Sequence, residues 1–263
     1  MYKIFAIFLI LFLWCGMSWA GVDFDGVDDS INCGSGSSID NLHQSTMTVS
    51  VWVEGTFDTT FRRVCNKGTD DVTSGWLIAY QLSSGQNRVN FYVRWSGAEA
   101  QWRYISGSSA MTNIVITYDG SSTSNNPIIY INGSSVTTTE ITAPSGNVTD
   151  DKDENLVIGN RNDGTRCFLG EVNEFKIWNT ILTPAQVLQE YNGKLKTMYH
   201  LQSNNKLYLP MDDQPSGTSA DGDTVRDLSG NGNNGTGNDG ANNTGLTWVG
   251  ESVLSYVPGV IGN

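Results

Sequence analysis

The sequence carries little positive charge and few of the residues that ligate transition metals. Fifteen Lys and Arg stand against 27 Asp and Glu, which gives a formal net charge of −12, and there are two His and four Cys. The basic residues form no cluster in the sequence, which argues against nucleic acid or an anionic membrane as a partner. The absence of a Cys-x-x-Cys motif or a Cys/His group argues against zinc.

Long apolar runs are also absent, apart from one near the N-terminus. Ile4–Trp14 is almost unbroken, follows Lys3, and is short for a membrane span. Ser18-Trp19-Ala20 fits the small-x-small rule of signal peptidase, so we predict that residues 1–20 are a signal peptide cleaved after Ala20. Localisation would then be secreted, extracellular or at the cell surface, with no membrane insertion after cleavage. A retained anchor is the alternative.

Few cysteines remain after the predicted cleavage: Cys33, Cys65 and Cys167. In an oxidising compartment this number predicts one disulfide and one remaining thiol. The sequence does not choose among the three pairings. Three free thiols acting as small core residues are the alternative.

Proline is scarce, with 6 residues, whereas there are 29 glycines. Together with abundant Ser, Thr and Asn, this composition predicts many short strands joined by polar turns. In Met47–Val53 apolar residues alternate with others in the period of a half-buried strand. Asp119-Gly120 and Asn132-Gly133 are dipeptides that close hairpins.

One short helix is predicted near residue 185. Thr183 can cap it, Pro184 occupies the first helical position, and Gly193 ends it. Val187, Leu188 and Tyr191 have the spacing of a buried helical face.

Segments between Val22 and Gly193 occur in a family-specific order. They are Phe24–Asn32 (FDGVDDSIN), Met47–Val53, Asn113–Ser134, and a block in which Gly170, an acidic-apolar strand Glu171–Lys176 and Trp178 precede the predicted helix. This arrangement resembles the laminin-G-like/pentraxin branch of the concanavalin A-like lectin/glucanase superfamily. The resemblance implies an all-β, two-sheet antiparallel jelly-roll sandwich with one short helix.

The C-terminal part departs from the family order. Leu207–Asp213 (LYLPMDD), Asp227–Gly235 (DLSGNGNNG) and Gly245–Glu251 (GLTWVGE) resemble pieces that normally precede the FDG block. They could begin a second, truncated domain. We favour a circular permutation, in which residues 206–258 supply the strand and loop that normally open a single domain over residues 21–263, because domain termini are often close together.

Catalytic carboxylates are not expected. The glucanases of the superfamily use a Glu-x-Asp-x-x-Glu strand, whose nearest match here is Glu171 and Glu174. The spacing of three residues predicts that these two side chains face opposite sides of the strand. We therefore predict that the chain is not an enzyme, and a glycoside hydrolase is the least favoured interpretation.

A calcium ion is predicted near the C-terminus, since Ca²⁺ is bound by carboxylate and amide oxygens on Gly-rich loops and members of the resembled branch often bind it. The predicted ligands share one polar loop: Asp221, Asp223, Asp227, Asn231 and Asn233. The alternative is that these residues only build Asx-turns. A second acidic loop, Asp150–Asn155, could contribute. Asp28 and Asp29 are interpreted as turn and strand-edge residues.

A sugar-binding platform is predicted in one polar hairpin. Sugars stack on aromatic rings while polar side chains bind their hydroxyls. The candidate ligand-binding residues are Trp95, Trp102, Arg94, Arg103 and Gln101. At least one aromatic side chain there should face solvent, although Trp95 and Tyr104 could belong to the core. Trp52, Trp76 and Trp178 lie in apolar strands and are assigned to the core.

These observations predict a secreted, non-catalytic, lectin-like module that binds a glycan or another cell-surface ligand, with a structural calcium. Glycan binding comes here from the resemblance, and fold alone does not fix function. The alternative is an extracellular structural or adhesion protein that makes only protein–protein contacts.

Overall fold

The computed structural model describes residues 20–69, 73–105, 107–193, 203–241 and 245–250. Apart from Ala20, the predicted signal peptide lies outside the described residues, and so do residues 251–258 of the predicted closing segment. No helix in the described ranges is long and apolar enough to cross a membrane.

The described residues form two antiparallel sheets. The first has eight strands in the order β10-β9-β8-β3-β13-β1-β17, with β14 also paired to β13. Its strands are β1 (Gly21–Asp25), β3 (Thr46–Gly55), β8 (Thr112–Asp119), β9 (Ile128–Ile131), β10 (Ser134–Ser135), β13 (Leu169–Trp178), β14 (Asn205–Leu209) and β17 (Thr247–Val249).

The second sheet has nine strands in the order β11-β7-β6-β5-β4-β12-β2-β16-β15. Its strands are β2 (Ser30–Asn32), β4 (Arg62–Lys67), β5 (Trp76–Ser83), β6 (Gln86–Arg94), β7 (Glu99–Ile105), β11 (Thr139–Thr142), β12 (Leu156–Ile158), β15 (Thr224–Val225) and β16 (Gly235–Asn238).

The core lies between the inner faces of the two sheets. In β3, Met47, Val49, Val51 and Val53 are fully buried, and they pack with apolar residues of the nine-stranded sheet such as Phe91. Alternate residues of a strand point to opposite faces, so this pattern buries one side of each sheet. The predicted all-β jelly-roll sandwich with one short helix is confirmed.

The C-terminal segment contributes strands to both sheets. β14 pairs with residues 175–178 of β13, whereas β1 pairs with residues 169–172 of the same strand. β17 lies beside β1, and β16 lies beside β2 in the other sheet. Trp248 of β17 is 1% exposed and belongs to the shared core.

The helix α1 spans Pro184–Tyr191 and covers the outer face of the eight-stranded sheet. Thr183 and Gln186 form a capping box, as the Thr-Pro start leads one to expect. The predicted buried face is only partly correct. Val187 is buried and Tyr191 stacks on Trp52 with ring centroids 5.5 Å apart, but Leu188 is 49% exposed.

Glu190 occupies the buried side of the helix instead. Its Oε1 lies 2.6 Å from Nζ of Lys176 on β13 and accepts a hydrogen bond from Ser50. Lys176 also pairs with Glu174 at 2.9 Å. The helix is therefore held down partly by a buried ion network, which apolar periodicity alone could not reveal.

The predicted disulfide is absent. Cys33, Cys65 and Cys167 are all buried, free thiols. Burial raises the pKa of Cys65 to about 12 and that of Cys167 to about 12, so both stay protonated. The alternative, in which the thiols act as small core residues, describes them correctly.

Candidate functional site

The outer face of the nine-stranded sheet carries a continuous set of polar and aromatic side chains. Strand pairing places Arg63, Ala79, Asn90 and Arg103 in one cross-strand row over β4, β5, β6 and β7. The next row contains Asn66, Leu77, Tyr92 and Gln101. We call these eight residues, with Arg88, Arg94 and the neighbouring Phe61, the arginine face.

A bulge in β4 brings Arg63 to this face. The register shifts between Arg63 and Cys65, so the core residues Val64 and Cys65 are adjacent, while Arg63 and Asn66 lie on the outer side. An extra residue in one strand changes which side chains share a face. The arrangement therefore cannot be found by counting alternate positions.

Arg63 is buried without a polar partner for two of its nitrogens. Its side chain is 3% exposed, and Nε and Nη1 have no hydrogen-bond acceptor among the described residues. The guanidinium carbon lies 5.0 Å from the centroid of the Phe61 ring, a cation–π contact. Phe61 meets Tyr92 edge-on, with centroids 5.5 Å apart.

Asn90 organises the polar centre of the arginine face. Its Oδ1 accepts hydrogen bonds from Gln101 Nε2 at 3.1 Å and from Arg103 Nε at 3.0 Å. Its Nδ2 is buried and has no acceptor in the described part of the chain. Gln101 and Arg103, which were predicted as ligand-binding residues, thus lie side by side on a shared face.

The arginine face has more positive than negative charge. Arg94 is paired with Glu99 at 3.0 Å, and nearby Arg161 is paired with Asp163. Burial, followed by the positive charge of Arg161, lowers the pKa of Arg63 to about 10. Burial and then Arg88 lower the pKa of Arg103. These like charges repel one another, and Glu99 and Asp163, which pair with Arg94 and Arg161, do not compensate all of them among the described residues.

The two tryptophans predicted as sugar platforms point to the other side. Trp95 is 4% and Trp102 is 1% exposed, and both belong to the core. Trp102 stacks on Phe91, and its indole nitrogen donates to Asn126 Oδ1 at 2.9 Å. The prediction that at least one aromatic side chain of this hairpin faces solvent fails for both tryptophans, since the parity shared by Trp102 and Tyr104 is the inward one; Tyr104 is partly buried against the core.

The side chains predicted to bind calcium make hydrogen bonds within the protein, most of them to backbone groups. Asp227 accepts hydrogen bonds from the backbone N–H groups of Tyr208, Ser229 and Asn233. Asn231 and Asn233 donate to the carbonyl oxygen of Lys206.

Asp221 accepts from the backbone of Asp239, and Asp223 from the indole nitrogen of Trp248. Within the described residues, the three carboxylates of Asp221, Asp223 and Asp227 do not come together as one set of ligands. The three carboxylates therefore do not form the predicted ligand cluster. Of the bonds named here, that from Ser229 N to Asp227 is an Asx-turn, so the Asx-turn alternative accounts for part of the loop.

A different acidic group lies where β1 leads into β2. Ligand atoms of Asp25, Asp29 and Cys167 lie within 4.8 Å of one another. Asp29 is fully buried; Oδ2 accepts from the backbone of Asp25 at 2.7 Å, and Oδ1 has no donor among the described residues. Burial raises the pKa of Asp29 to about 8, and the carboxyl of Asp239 adds to this effect.

Asp29 was interpreted from the sequence as a turn or strand-edge residue, and it does lie at a strand edge, directly before β2; its full burial was not expected. The feature of the sequence that could have indicated a buried carboxyl is the high number of Asp residues in Asp23–Asp29. Cys167 donates its thiol proton toward the carbonyl oxygen of Asp29 at 3.4 Å, so it is not an ionised ligand. Asp25 and Asp29 carry carboxylate oxygens, the type of ligand that Ca²⁺ prefers.

The two glutamates closest to a glucanase pattern are engaged elsewhere. A bulge in β13 between Asn173 and Lys176 turns Glu174 toward Lys176 on the outer side. Glu171 also lies on the outer side, where it accepts from Asn173 at 3.1 Å. The parity argument that put them on opposite faces is wrong. Glu174 is nevertheless held by Lys176 and by the Tyr208 hydroxyl.

The comparisons with known proteins agree with this architecture. The family model Laminin_G_3, of the concanavalin A-like lectin/glucanases superfamily, matches residues 25–188. The chain belongs to this family. The resemblance noted in the sequence is thereby confirmed. A search of curated protein sequences finds no match.

Solved structures extend the comparison of this Laminin_G_3 member. A protein from Bacteroides ovatus, whose assignment as carbohydrate-binding is itself an inference, aligns with a TM-score of 0.55 and 16% identity over 90% of this chain and 61% of its own. The present chain thus spans about three fifths of that protein.

A heptameric SAP-like pentraxin from Limulus polyphemus aligns with a TM-score of 0.47 and 14% identity, over 65% of this chain and 81% of its own. The receptor-binding domain of a botulinum neurotoxin C/D mosaic serotype aligns with a TM-score of 0.44 and 16% identity, over 67% and 47%. The Bacteroides structure supports the fold, and these two add no argument about function.

Proposed function

We propose that the protein is a secreted, non-catalytic, lectin-like module that binds saccharides on the arginine face. The observation that carries this proposal is the hydrogen-bonded set Asn90–Gln101–Arg103 beside the half-buried ring of Tyr92. Such a combination of polar groups and an aromatic ring can bind sugar hydroxyls and an apolar sugar face. The family and the Bacteroides relative are consistent with it.

A glycan array followed by calorimetric titration tests this function. We expect at least one saccharide class to bind, and Tyr92→Ala or Gln101→Ala to weaken binding about tenfold, the effect of losing one stacking or hydrogen-bonding partner. Tyr104→Phe is the matched control, because Tyr104 packs toward the core. An array without any hit would favour the adhesion alternative.

Calcium remains a proposal, now at Asp25 and Asp29. It is supported by the buried Asp29 Oδ1, which lacks a donor among the described residues. Binding only to the folded state would stabilise it. We expect EGTA to lower the melting temperature of the wild type but not of Asp29→Asn. Equal melting curves for the wild type with and without EGTA would refute the calcium proposal.

An adhesion function is the second candidate, favoured by edge strand β11. This strand pairs only with β7 in the described residues, and its Ile141 is 43% exposed. An open edge can pair with a strand of another protein. Sedimentation or pull-down in which Ile141→Lys abolishes an association, while Tyr92→Ala leaves it intact, would support adhesion over saccharide binding.

A further inference from the structure

Arg63 differs from the other buried cationic side chains of the described residues. These side chains are Arg62, Arg63, Lys67 and Lys176. Arg62 is paired with Asp58 at 2.6 Å, Lys67 with Asp40 at 3.1 Å, and Lys176 with Glu190 at 2.6 Å. Arg63 has no carboxylate partner in the described residues. A buried charge without a partner is costly, so its retention needs an explanation.

The buried atoms of the arginine face that lack a hydrogen-bond partner among the described residues are all donors. Besides Arg63 Nε and Nη1, the buried nitrogens Arg88 Nε, Arg94 Nε and Asn90 Nδ2 have no acceptor among the described residues. These atoms lie on one outer face, on β4 and on β6, with β5 between the two strands. Asn90 is in the cross-strand row of Arg63, and Arg88 and Arg94 lie on either side of Asn90 along β6. Since each buried donor needs an acceptor, the face lacks a group that brings several acceptor oxygens together with negative charge.

We infer that the arginine face binds a saccharide bearing an acidic substituent, a carboxylate or a sulfate ester, with Arg63 as the principal ligand of the acid group. This inference rests on the proposed saccharide-binding function. A planar guanidinium with free Nε–H and Nη–H donors suits two oxygens of such a group. Arg88 and Arg103 add positive charge, and Asn90 Nδ2 adds a neutral donor.

Phe61 controls access to Arg63. Its ring covers the guanidinium at 5.0 Å and it precedes β4, whose pairing begins at Arg62. For the acid group to reach Arg63, the ring must turn away, which gives up its contacts with the guanidinium and with the edge of Tyr92. The cation–π contact thus compensates Arg63 in the ligand-free protein, although it supplies no hydrogen-bond acceptor for Nε or Nη1.

Matched saccharide pairs test the acid group directly. Hexagalacturonate is compared with its methyl ester, which has the same backbone without the charge, and dextran sulfate is compared with dextran. We expect the acidic member of at least one pair to bind about tenfold or more tightly than its neutral partner, the effect of a charge-assisted hydrogen bond. The two pairs distinguish a carboxylate from a sulfate ester.

Variants locate the effect. Arg63→Met should remove the preference for the acidic saccharide of each pair. Arg63→Lys, which keeps the charge but not the planar guanidinium, should retain part of this preference. Lys206→Gln is the charge-matched control on β14 of the other sheet and should leave the preference unchanged. If Arg63→Met and Lys206→Gln reduced acidic binding equally, the effect would be one of net charge and the assignment of Arg63 would be overturned.

The acid inference and the saccharide function can fail separately. Binding of neutral and acidic members with equal affinity would overturn the inference and leave the function intact. If no saccharide bound, titration with inorganic sulfate followed by the Nε–Hε NMR signal of Arg63 would still decide about the acid group. A saturable shift supports an anion site without a lectin function, and an unchanged signal overturns the inference as well.

Discussion

The outer faces of the two sheets differ in whether a buried cation is paired with carboxylates. Under α1, on the eight-stranded sheet, Lys176 lies between Glu174 and Glu190 and against the ring of Tyr208 at 4.7 Å. On the nine-stranded sheet, Arg63 lies under Phe61 without a carboxylate. Both cations are nearly inaccessible, but of these two only Lys176 forms ion pairs within the described residues. Glu99, whose negative charge also acts on Arg63, is paired with Arg94.

This difference separates a structural charge from one that suits a ligand. A buried cation held between two carboxylates fixes one arrangement of a helix on a sheet, even though Glu190 Oε2 has no donor among the described residues. A buried cation whose donors lack acceptors costs free energy of folding, and its donors are available to an anion. We therefore expect the same substitution, removal of the cation, to have different consequences on the two faces.

The largest effect is expected for Lys176→Met. This change leaves the carboxylates of Glu174 and Glu190 buried without their cation, so the free energy of unfolding should fall by about 3–5 kcal/mol. Urea unfolding followed by tryptophan fluorescence measures it. The double variant Lys176→Met/Glu190→Leu should recover much of the loss. A decrease of less than about 1 kcal/mol would show that the ion network does not stabilise the packing of α1 on the sheet.

The next effect concerns the pH dependence of stability through Asp29. Its pKa is raised in the folded protein, so the folded state holds a proton that the unfolded state has released. This contribution to stability is complete near pH 4 and is lost as the pH rises to about 8. In calcium-free buffer, the melting temperature should fall over this window in the wild type and change less in Asp29→Asn. If the melting temperatures of the wild type and of Asp29→Asn changed equally with pH, the burial of an uncompensated carboxyl at Asp29 would be contradicted.

Loss of the helix cap should have a moderate effect on the covered face. Thr183→Ala removes the side chain that accepts from Gln186 N, so the free energy of unfolding should fall by about 1 kcal/mol. Thr183→Ser retains the hydroxyl and is the control. Thermal unfolding of both variants measures the difference. Saccharide binding should stay unchanged, because α1 covers the other sheet.

The smallest effect on stability is expected for Arg63→Met. This change removes a buried charge that has no carboxylate partner, so the free energy of unfolding should stay within about 1 kcal/mol of the wild type, the size of the lost cation–π contact. Urea unfolding beside Lys176→Met gives the comparison. A loss as large as that of Lys176→Met would show that Arg63 is a structural charge and would remove the contrast between the two faces.

Local patterns in the sequence predicted the elements that depend on neighbouring residues. The alternation in Met47–Val53 locates β3 and its core-facing side chains, although the other face of the strand is buried as well. Thr183-Pro184 locates the start of α1. The family motifs led to the correct sandwich. These features depend on strand parity, capping and turn chemistry, which a short window contains.

The candidate site could not be predicted in the same way. Arg63, Asn90 and Arg103 are brought together by pairing among separate strands, and a bulge decides that Arg63 faces outward. The tryptophans Trp95 and Trp102 misled the prediction because aromatic residues in a polar hairpin can face either side. Glu190 and Asp29 were missed since a buried charge is indistinguishable from a solvated one in sequence.

The position of β1 has a consequence for the order of folding. Its neighbours in the sheet are β13 and β17, so Val22 pairs with both Val172 and Trp248. During synthesis, a strand among the earliest described residues therefore waits for one of its two partners until residues near 249 have emerged. Such long-range pairing slows folding. The growing chain therefore stays incompletely folded for much of its synthesis. The order of the strands along the chain therefore delays closure of the sandwich until its C-terminal strands have been made.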